Sequence, residues 1–255
     1  MRFHEMTSGQ LRQVDREQTL VVLPIAACEQ HGPHMPTGTD TIICGGIAEA
    51  VEQRCRDSVL LLPTLWPGAS HHHLPWGATV TLELETYTTV LCQLIKPLLD
   101  DGYRRVLLLN GHGGNIDPMR VALRRLQPDY PQVLLTAASY WSIAEKEIID
   151  RLDGSDKILG HACEAETSLV MHLRPDLVDT SDLTDGTDYL RDMQHGVFIC
   201  QDMAQRTRRG HTGRPDLASP EKGAAMFDAV VTRVSEVIGE LIAMPLPEPR
   251  RPWAS

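Results

Sequence analysis

The segment Thr19-Leu20-Val21-Val22-Leu23-Pro24-Ile25 is apolar from Leu20 to its end and has the length of a buried strand. Three further apolar runs follow it along the chain, at residues 58–62, 105–109 and 132–136. Continuous runs without polar alternation indicate strands that are covered on both faces, as in a parallel sheet. The sequence therefore predicts a mostly parallel central sheet.

Segments of helical length lie between these strands and after them. Apolar residues recur with a period near 3.6 in four segments, residues 40–55, 84–99, 115–126 and 220–242. Alternating strands and helices predict an α/β fold with three layers, α/β/α. No repeat or low-complexity linker divides the chain, so residues 1–255 are interpreted as a single domain. Residues 180–215 show little periodicity and are expected to form long surface loops.

The bulk composition narrows the classes of function. The 255 residues include 34 acidic and 24 basic side chains, which gives a formal net charge of −10, and 42% of the residues are hydrophobic. This acidic balance disfavours binding to nucleic acid or to an anionic membrane surface, since both need a basic face. The six cysteines are scattered without paired spacing, which favours reduced thiols in a cytoplasmic protein. The sequence shows neither a signal peptide nor an apolar stretch of about 20 residues.

The carboxyl ends of two predicted strands carry metal-binding residue types. The first strand leads into Glu29-Gln30-His31-Gly32-Pro33-His34-Met35-Pro36-Thr37-Gly38-Thr39-Asp40, and the third leads into Asn110-Gly111-His112-Gly113-Gly114-Asn115. In a parallel sheet these ends meet at one edge, so four side chains are expected to converge there: Glu29, His31, Asp40 and His112. Such a mixed nitrogen and oxygen site suits Zn²⁺, Mn²⁺ or Fe²⁺. An aspartate between two ions could bridge them.

A third candidate segment covers residues 161–170, where a short helix is predicted. Glu166 falls on the apolar, inward face of this helix, where a carboxylate is costly unless it is paired or bound to a metal. The alternative for Glu166 is a buried partner for an arginine or a backbone amide. Glu164 falls on another face and is expected to be a solvated acid of the first turn. His161 precedes the helix and is interpreted as an acid–base group or substrate donor, with an exposed imidazole as the alternative.

Residues beyond the second and fourth strands are candidates for the substrate pocket. The three histidines of Ser70-His71-His72-His73 point in different directions, so one of them is expected to line the pocket. Ser70 and His73 are assigned to substrate binding. Trp141 follows the fourth strand and is assigned to a stacking wall, with ordinary packing as the alternative. The chain lacks the sequence signatures of serine hydrolases, dinucleotide-binding proteins and P-loop proteins.

Taken together, three segments resemble the signatures of the creatininase family. The first runs from Leu23 to Asp40, the second from Asn110 to Asn115, and the third from His161 through Ser168, so the resemblance extends over most of residues 23–177. It implies an α/β/α fold and a binuclear metal hydrolase that opens cyclic amides or cleaves related C–N bonds. It also implies a homo-oligomer, which is a hexamer in creatininase itself.

The resemblance further implies roles for individual residues. Four residues match metal ligands, with the aspartate as the bridge: Glu29, His31, Asp40 and His112. His161 matches an active-site histidine near the substrate. Creatininase has a ligand glutamate where this chain has Gly114, so either Glu166 replaces it or only one ion binds tightly. Creatininase also has a tryptophan shortly before the histidine of the third motif, where this chain reads Ile-Leu-Gly at 158–160. Both differences argue against creatinine as the substrate.

The expected function is hydrolysis of a C–N bond, other than a peptide bond, in a cyclic amide or formamide-type small molecule. One or two divalent metal ions per subunit are expected, with Zn²⁺ or Mn²⁺ ahead of Fe²⁺. Water activated by the metal would attack the carbonyl, and His161, Glu164 or Glu166 would pass a proton to the leaving nitrogen. The alternatives are a non-catalytic metal- or metabolite-binding protein of the same fold, and a metal-dependent isomerase or lyase acting on a sugar-like substrate.

Overall fold

The structure of the protein is a computed structural model that describes residues 1–155, 157, 159–191, 193–194 and 196–248. For residues 193 and 194 only the backbone is described. Ile158, one of the positions compared with creatininase above, lies outside the described residues.

Four parallel strands form the central sheet. Their bounds are Leu20–Ile25 (β1), Val59–Leu61 (β2), Arg105–Asn110 (β3) and Leu134–Ser139 (β4). The strands lie in the order β2-β1-β3-β4, and all three pairs are parallel. A separate antiparallel pair joins Met193–Gln194 (β5) to Val197–Phe198 (β6). The predicted α/β fold with a mostly parallel sheet is confirmed.

Helices connect and cover the strands. The α-helices of the described residues are Ser8–Leu11 (α1), Thr39–Arg54 (α2), Leu84–Asp100 (α3), Ile116–Leu126 (α4), Tyr140–Ile143 (α5), Glu145–Ile149 (α6), Glu164–Leu173 (α7), Met203–Arg206 (α8) and Pro220–Ala243 (α9). Short 3₁₀ helices include His71–Trp76 and Gly113–Asn115. In the described part of the chain, no helix combines the length and apolar character that a membrane span requires.

The sheet is buried on both faces because alternate side chains of each strand enter different cores. Leu20 and Val22 of β1 belong to the core that also contains residues of α2, α7 and α9. Val21 and Leu23 belong to the opposite core, which contains residues of α3 and α4. This division explains the continuous apolar runs, since neither face of the strand is left to solvent.

The direction of chain winding reverses between β1 and β3. The chain leaves β1 through α2 on one face to reach β2, and it then passes through α3 on the other face to β3. Ile25 and Asn110 pair at the carboxyl ends of β1 and β3. Helices on opposite faces leave a crevice beyond these strand ends, which is the usual position of a ligand site in an open parallel sheet.

The fourth strand differs from its prediction. It begins at Leu134 rather than Gln132 and continues to Ser139. Most of its residues are half-buried instead of buried on both faces. The reason is its place at the edge of the sheet, where it pairs with β3 alone.

The prediction of surface loops over residues 180–215 is wrong for the second half of the segment. Short elements, β5, β6 and α8, interrupt it, and Met203, Thr207, His211 and Thr212 are buried. His161 O accepts a hydrogen bond from the Thr212 backbone N–H at 2.8 Å. The segment lacks periodicity because contacts with distant residues, rather than regular hydrogen bonding, hold it in place.

Helix α9 packs closely against α7 because it has a glycine at the contact. A Cβ atom on Gly223 would lie 1.9 Å from Ser168 O and 3.0 Å from the Cβ of His172. Gly239, in the same helix, has no atom within 4 Å of the corresponding position. Gly223 therefore lies at a contact with another helix, whereas Gly239 does not.

We expect Gly223→Ala to destabilise the protein by about 3 kcal/mol, since the added methyl group overpacks a backbone contact. Gly239→Ala should instead stabilise it by about 0.5 to 1 kcal/mol, because alanine loses less backbone entropy in a helix. Urea-induced unfolding of both variants measures the two free energies. Equal effects of the two substitutions would contradict the close α7–α9 contact.

Candidate metal centre

Four predicted residues do converge at the carboxyl edge of β1 and β3. Glu29 and His31 follow β1, Asp40 lies in the first turn of α2, and His112 follows β3. All four are buried, with at most 4% of each residue exposed. The N-terminus of α2 favours a carboxylate at Asp40, because unpaired backbone N–H groups concentrate positive charge there.

Two triads of candidate ligands share Asp40. The first contains Glu29, Asp40 and His112, and the second contains His31, Asp40 and Glu166. Within each triad, one potential ligand atom from each residue lies within 4.8 Å of the others. This arrangement is the one that a carboxylate bridge between two ions requires.

Backbone carbonyl groups orient the imidazole rings. The Nδ1 of His31 lies 3.1 Å from Glu29 O, and the Nε2 of His112 lies 3.3 Å from Ala69 O. Since a carbonyl oxygen only accepts, each of these nitrogens must carry the proton. The other nitrogen of each ring then faces Asp40, at 3.1 Å from Oδ1 for His31 and 3.0 Å from Oδ2 for His112. Metal-binding histidines typically donate their other ring N–H to a backbone carbonyl in this way.

The charges of the centre perturb the pKa values of its two histidine ligands and of Asp40. Burial would lower the pKa of His31, but Asp40 and then Glu166 raise it to about 9. The pKa of His112 is likewise raised well above its ordinary value, because the effects of Glu29 and Asp40 outweigh that of burial. The pKa of Asp40 falls below its ordinary value because His31 and His112 outweigh burial. Protons on the ring nitrogens thus occupy the position that a cation would take.

The orphaned carboxylate oxygens also fit a metal. Both carboxylate oxygens of Glu29 and the Oδ2 of Asp40 are buried without an aligned hydrogen-bond donor among the described residues. A buried carboxylate without donors is costly unless a cation or a proton neutralises it. The donor set of imidazoles and carboxylates suits Zn²⁺ or Mn²⁺.

Glu166 and Glu164 have different environments. Glu166 lies in the second triad, accepts a hydrogen bond from Ala162 N at 2.6 Å, and has its pKa raised to about 7, first by burial. Glu164 is also buried, which corrects the prediction of a solvated acid. It forms an ion pair with Lys222 and accepts hydrogen bonds from Asp153 N and Gly154 N. Its partners come from distant parts of the chain, which the helical pattern does not reveal.

His161 lies at the rim of the centre. It forms a third group with Glu29 and His31, and its Nδ1 lies 3.8 Å from Glu29 Oε1. Its Nε2 lies 2.8 Å from Gln30 O and therefore carries the proton. Burial, and then the charge of His31, lower the pKa of His161 well below its ordinary value. The ring is therefore neutral and presents the lone pair of Nδ1 towards the centre.

The four residues 70–73, after β2, each have a different environment. The Oγ of Ser70 is buried behind the centre, at 3.3 Å from the Nε2 of His112. His71 faces outwards to Glu83, whereas the ring of His72 stacks on His112 with centroids 5.7 Å apart. His73 is buried next to Glu29, with 3.2 Å between Nε2 and Oε1.

A cavity of 1110 Å³ lies above the centre. All three histidines at 71–73, Trp141 and His161 line it together with four of the candidate ligands, whereas His31 and Ser70 are not on its wall. Tyr189, Arg191, residues 198–203 and Arg206 form a further part of the wall, which the sequence pattern did not reveal. Gln30 was also given no role, although its position between two candidate ligands is a usable signal.

Gly114 accounts for one difference from creatininase. A Cβ atom at this position would lie 2.1 Å from Ala69 O, 2.6 Å from His112 Nε2 and 2.9 Å from His72 Cε1. The local backbone therefore excludes a glutamate side chain here. In the second triad, the carboxylate besides that of Asp40 comes from Glu166 and not from position 114.

The fold and the two triads that share Asp40 define an α/β/α protein with a candidate binuclear metal centre. The creatininase family model, described as creatinine amidohydrolase, matches residues 4–238. The chain therefore belongs to the creatininase family, as its three sequence motifs predict.

Three relatives are hydrolases by name. A mycofactocin precursor peptide peptidase from Mycobacterium ulcerans (strain Agy99) is 28% identical over 231 residues, which cover 84% of each chain. A creatinine amidohydrolase from Pseudomonas putida is 29% identical over 238 residues, 87% of this chain and 89% of the relative. A 3-dehydro-scyllo-inosose hydrolase from Thermotoga maritima is 28% identical over 180 residues, 69% and 57% of the two chains. Membership of the family does not select one of these reactions.

Solved structures of creatininase have the same fold. A creatininase variant of the Zn-Zn type superimposes with a TM-score of 0.79 at 26% identity, over 94% of this chain and 97% of the other. A creatininase Mn structure gives a TM-score of 0.78 at 26% identity with the same coverage. The predicted creatininase-like α/β/α fold is confirmed.

His34 is a buried histidine outside the triads. Its Nε2 lies 3.2 Å from Ala162 O and 3.1 Å from the Oγ1 of Thr167. Burial, and then the charge of His211, lower the pKa of His34 to about 4. Because the unfolded chain takes up this proton near pH 6.5, the contribution of His34 to stability is complete above that pH and is lost as the pH falls towards 4.

We expect His34→Gln, which keeps an amide donor for Ala162, to remove about 2 to 3 kcal/mol of the acid-induced loss of stability. Urea unfolding of the metal-free protein at about pH 7 and about pH 4.5 measures this loss. His172→Gln, at an exposed position, is the control. An identical pH dependence in wild type and His34→Gln would show that His34 does not couple folding to protons.

Proposed function

We propose that the protein is a metal-dependent amidohydrolase that cleaves a C–N bond of a cyclic amide or formamide-type small molecule, and that creatinine is not its substrate. The observation that carries the proposal is the pair of buried triads that share Asp40. Glu29 and His112 would hold one ion with Asp40. His31 and Glu166 would hold the second with the same aspartate.

The chain's own residues account for the proton movements. When bound, the metal pair supplies a Lewis acid for the amide carbonyl and lowers the pKa of a water molecule. His161 is neutral, and its Nδ1 is free to take a proton from that water and return it to the leaving nitrogen. Glu166 is better suited to the ligand role, because it lies in a triad with both His31 and Asp40.

The shape of the cavity supports a substrate larger than creatinine. Its 1110 Å³ reaches the upper end of the range for small-molecule sites. Gly113, Gly114 and Gly160 line it without side chains. Trp141, also on the wall, is half-buried against Tyr140 and would supply the stacking surface predicted for it.

Other parts of the proposal draw on the family. Zn²⁺ or Mn²⁺ is the proposed metal, in keeping with the creatininase Zn-Zn and Mn structures. A homo-oligomer stays part of the proposal, supported by the exposed apolar side chains of Trp66, Leu74 and Trp76. Ser70, buried behind His112, would act on the substrate only through that ligand.

We expect wild-type protein to contain about two transition-metal ions per subunit, and Asp40→Asn to contain almost none, because both triads lose their shared ligand. Inductively coupled plasma mass spectrometry measures the content. Asp117→Asn is the matched control, since Asp117 lines the cavity but is exposed and belongs to neither triad. Wild-type protein that binds no transition metal after reconstitution would refute the hydrolase proposal.

The metal-loaded wild type is then supplied with cyclic amides, formamides, creatinine and short peptides. Release of an amine, formate or a ring-opened acid from an amide, but not from creatinine, is the expected result. Cleavage of peptides alone would replace the proposed substrate class with that named for the Mycobacterium ulcerans relative. Isomerisation of a sugar-like substrate, or metal binding without turnover of any compound, would favour the alternative classes.

We expect Glu166→Gln to reduce the metal content from about two ions to about one, because an amide is a weaker ligand than a carboxylate. Turnover should fall by at least about 100-fold. Glu164→Gln is the control at the neighbouring buried carboxylate, which pairs with Lys222 instead. Unchanged metal content with lost turnover in Glu166→Gln would move Glu166 from the ligand role to proton transfer.

A further inference from the structure

Four histidines surround Glu29 and Asp40, yet His73 differs from the other three. His31, His112 and His161 each appear in a group of potential ligands, whereas His73 appears in none. The Nε2 of His73 nevertheless lies 3.2 Å from Glu29 Oε1, as close as the Nδ1 of His112. His73 is therefore close to Glu29 but does not lie within 4.8 Å of two further potential ligand atoms that are also near each other.

The side chain of Gln30 fixes the protonation of His73. Gln30 Oε1 accepts a hydrogen bond from Gly32 N at 3.0 Å, and a backbone N–H can only donate, so the orientation of the amide group is determined. The amide nitrogen, Nε2, then points to His73 Nδ1 at 2.8 Å and donates to it. With Nδ1 as the acceptor, the proton of the neutral ring lies on Nε2.

The backbone carbonyl of Gln30 determines which ring nitrogen of His161 carries the proton. Gln30 O accepts the proton of His161 Nε2 at 2.8 Å, which leaves His161 Nδ1 without a proton. The 3.2 Å contact between Gln30 Nε2 and His161 Nε2 then joins two N–H groups and is not a hydrogen bond. One residue thus gives His161 a lone pair and His73 an N–H group on their sides towards Glu29.

Gln30 is itself held rigidly. Gln30 is buried, and its backbone N–H donates a hydrogen bond to Thr79 Oγ1 at 3.2 Å. Gly210 packs against its side chain. A Cβ atom on Gly210, which has a φ of +76°, would lie 2.4 Å from Gln30 Oε1. Gly210, a few residues after the part of the chain that lines the cavity, therefore packs directly over the Gln30 side chain.

We propose that Gln30 is a positioning residue that makes His73 an N–H group facing Glu29 rather than a metal ligand. Both nitrogens of His73 are then in contact with protein groups, one with Gln30 and the other with Glu29. The expected effect of Gln30 on metal binding rests on the proposed metal centre. The position of the His73 proton does not, and it can be measured independently.

Gln30→Glu is the most discriminating variant. A carboxylate still accepts the hydrogen bond from Gly32 N but cannot donate to His73, so the His73 proton is expected to move to Nδ1. Nitrogen-15 NMR of histidine-labelled, full-length protein reports which ring nitrogen is protonated, and the signal is assigned by its loss in His73→Asn. The measurement is made on zinc-loaded and on chelator-treated protein.

The wild type should show His73 protonated on Nε2 only. Gln30→Glu should show a proton on Nδ1, whether or not Nε2 also carries one. The control is Thr79→Val, which removes a hydrogen bond to the Gln30 backbone but leaves the side-chain amide, and it should keep the wild-type signal. A wild-type proton on Nδ1, or an unchanged signal in Gln30→Glu, would overturn the proposal.

Gln30→Met provides the second readout, because it removes the amide without adding charge. Zinc affinity, measured by competition with a chelator, should fall by about 10- to 100-fold, as for other residues that orient ligands. In active protein kcat should fall while KM changes little, since Gln30 does not line the cavity. Wild-type zinc affinity in Gln30→Met would contradict a positioning role. If wild-type protein binds neither zinc nor manganese, the metal proposal fails, whereas the NMR result still decides the role of Gln30.

Discussion

The burial of three carboxylates beside three imidazoles is the constraint on which the rest of the structure depends. Glu29, Asp40 and Glu166 are removed from water at the edge of the sheet, where an uncompensated charge would cost far more than the fold can supply. Protons or cations must neutralise them, and the perturbed pKa values of His31 and His112 express this demand. The centre is therefore stable only with a bound positive charge.

The surrounding elements meet this constraint with backbone groups more than with side chains. The reversal of winding between β1 and β3 opens the crevice, and the N-terminus of α2 favours the carboxylate of Asp40. Carbonyl groups of Glu29, Gln30 and Ala69 each take a ring proton and turn the other nitrogen inwards. Because these carbonyls belong to the loops after the strands, the loop conformation itself determines which atoms face the centre.

Sequence reasoning succeeded where the determinant is local and failed where it is distant. The apolar runs predicted the strands, and parallel pairing was enough to bring Glu29 and His112 to one edge. The buried pair of Glu164 and Lys222 was missed, since 58 residues separate its members. The edge position of β4 depends on the order of strands, which no single segment encodes. The part of the cavity wall formed by Tyr189, Arg191, residues 198–203 and Arg206 has no regular hydrophobic period, so the sequence predicts only surface loops there.

That wall has a consequence for how the protein can evolve. The candidate ligands lie on strand ends and helix starts before residue 170, whereas the far wall belongs to a separate stretch of irregular chain. No residue of either triad lies in this stretch, so a substitution there changes the lining of the cavity without replacing a candidate ligand. Relatives that share about 28% of their residues with this chain are named for a peptide, an inosose and creatinine. A substitution at Gly210, just beyond this stretch, would instead reach the centre through Gln30, because a Cβ atom there would lie 2.4 Å from Gln30 Oε1.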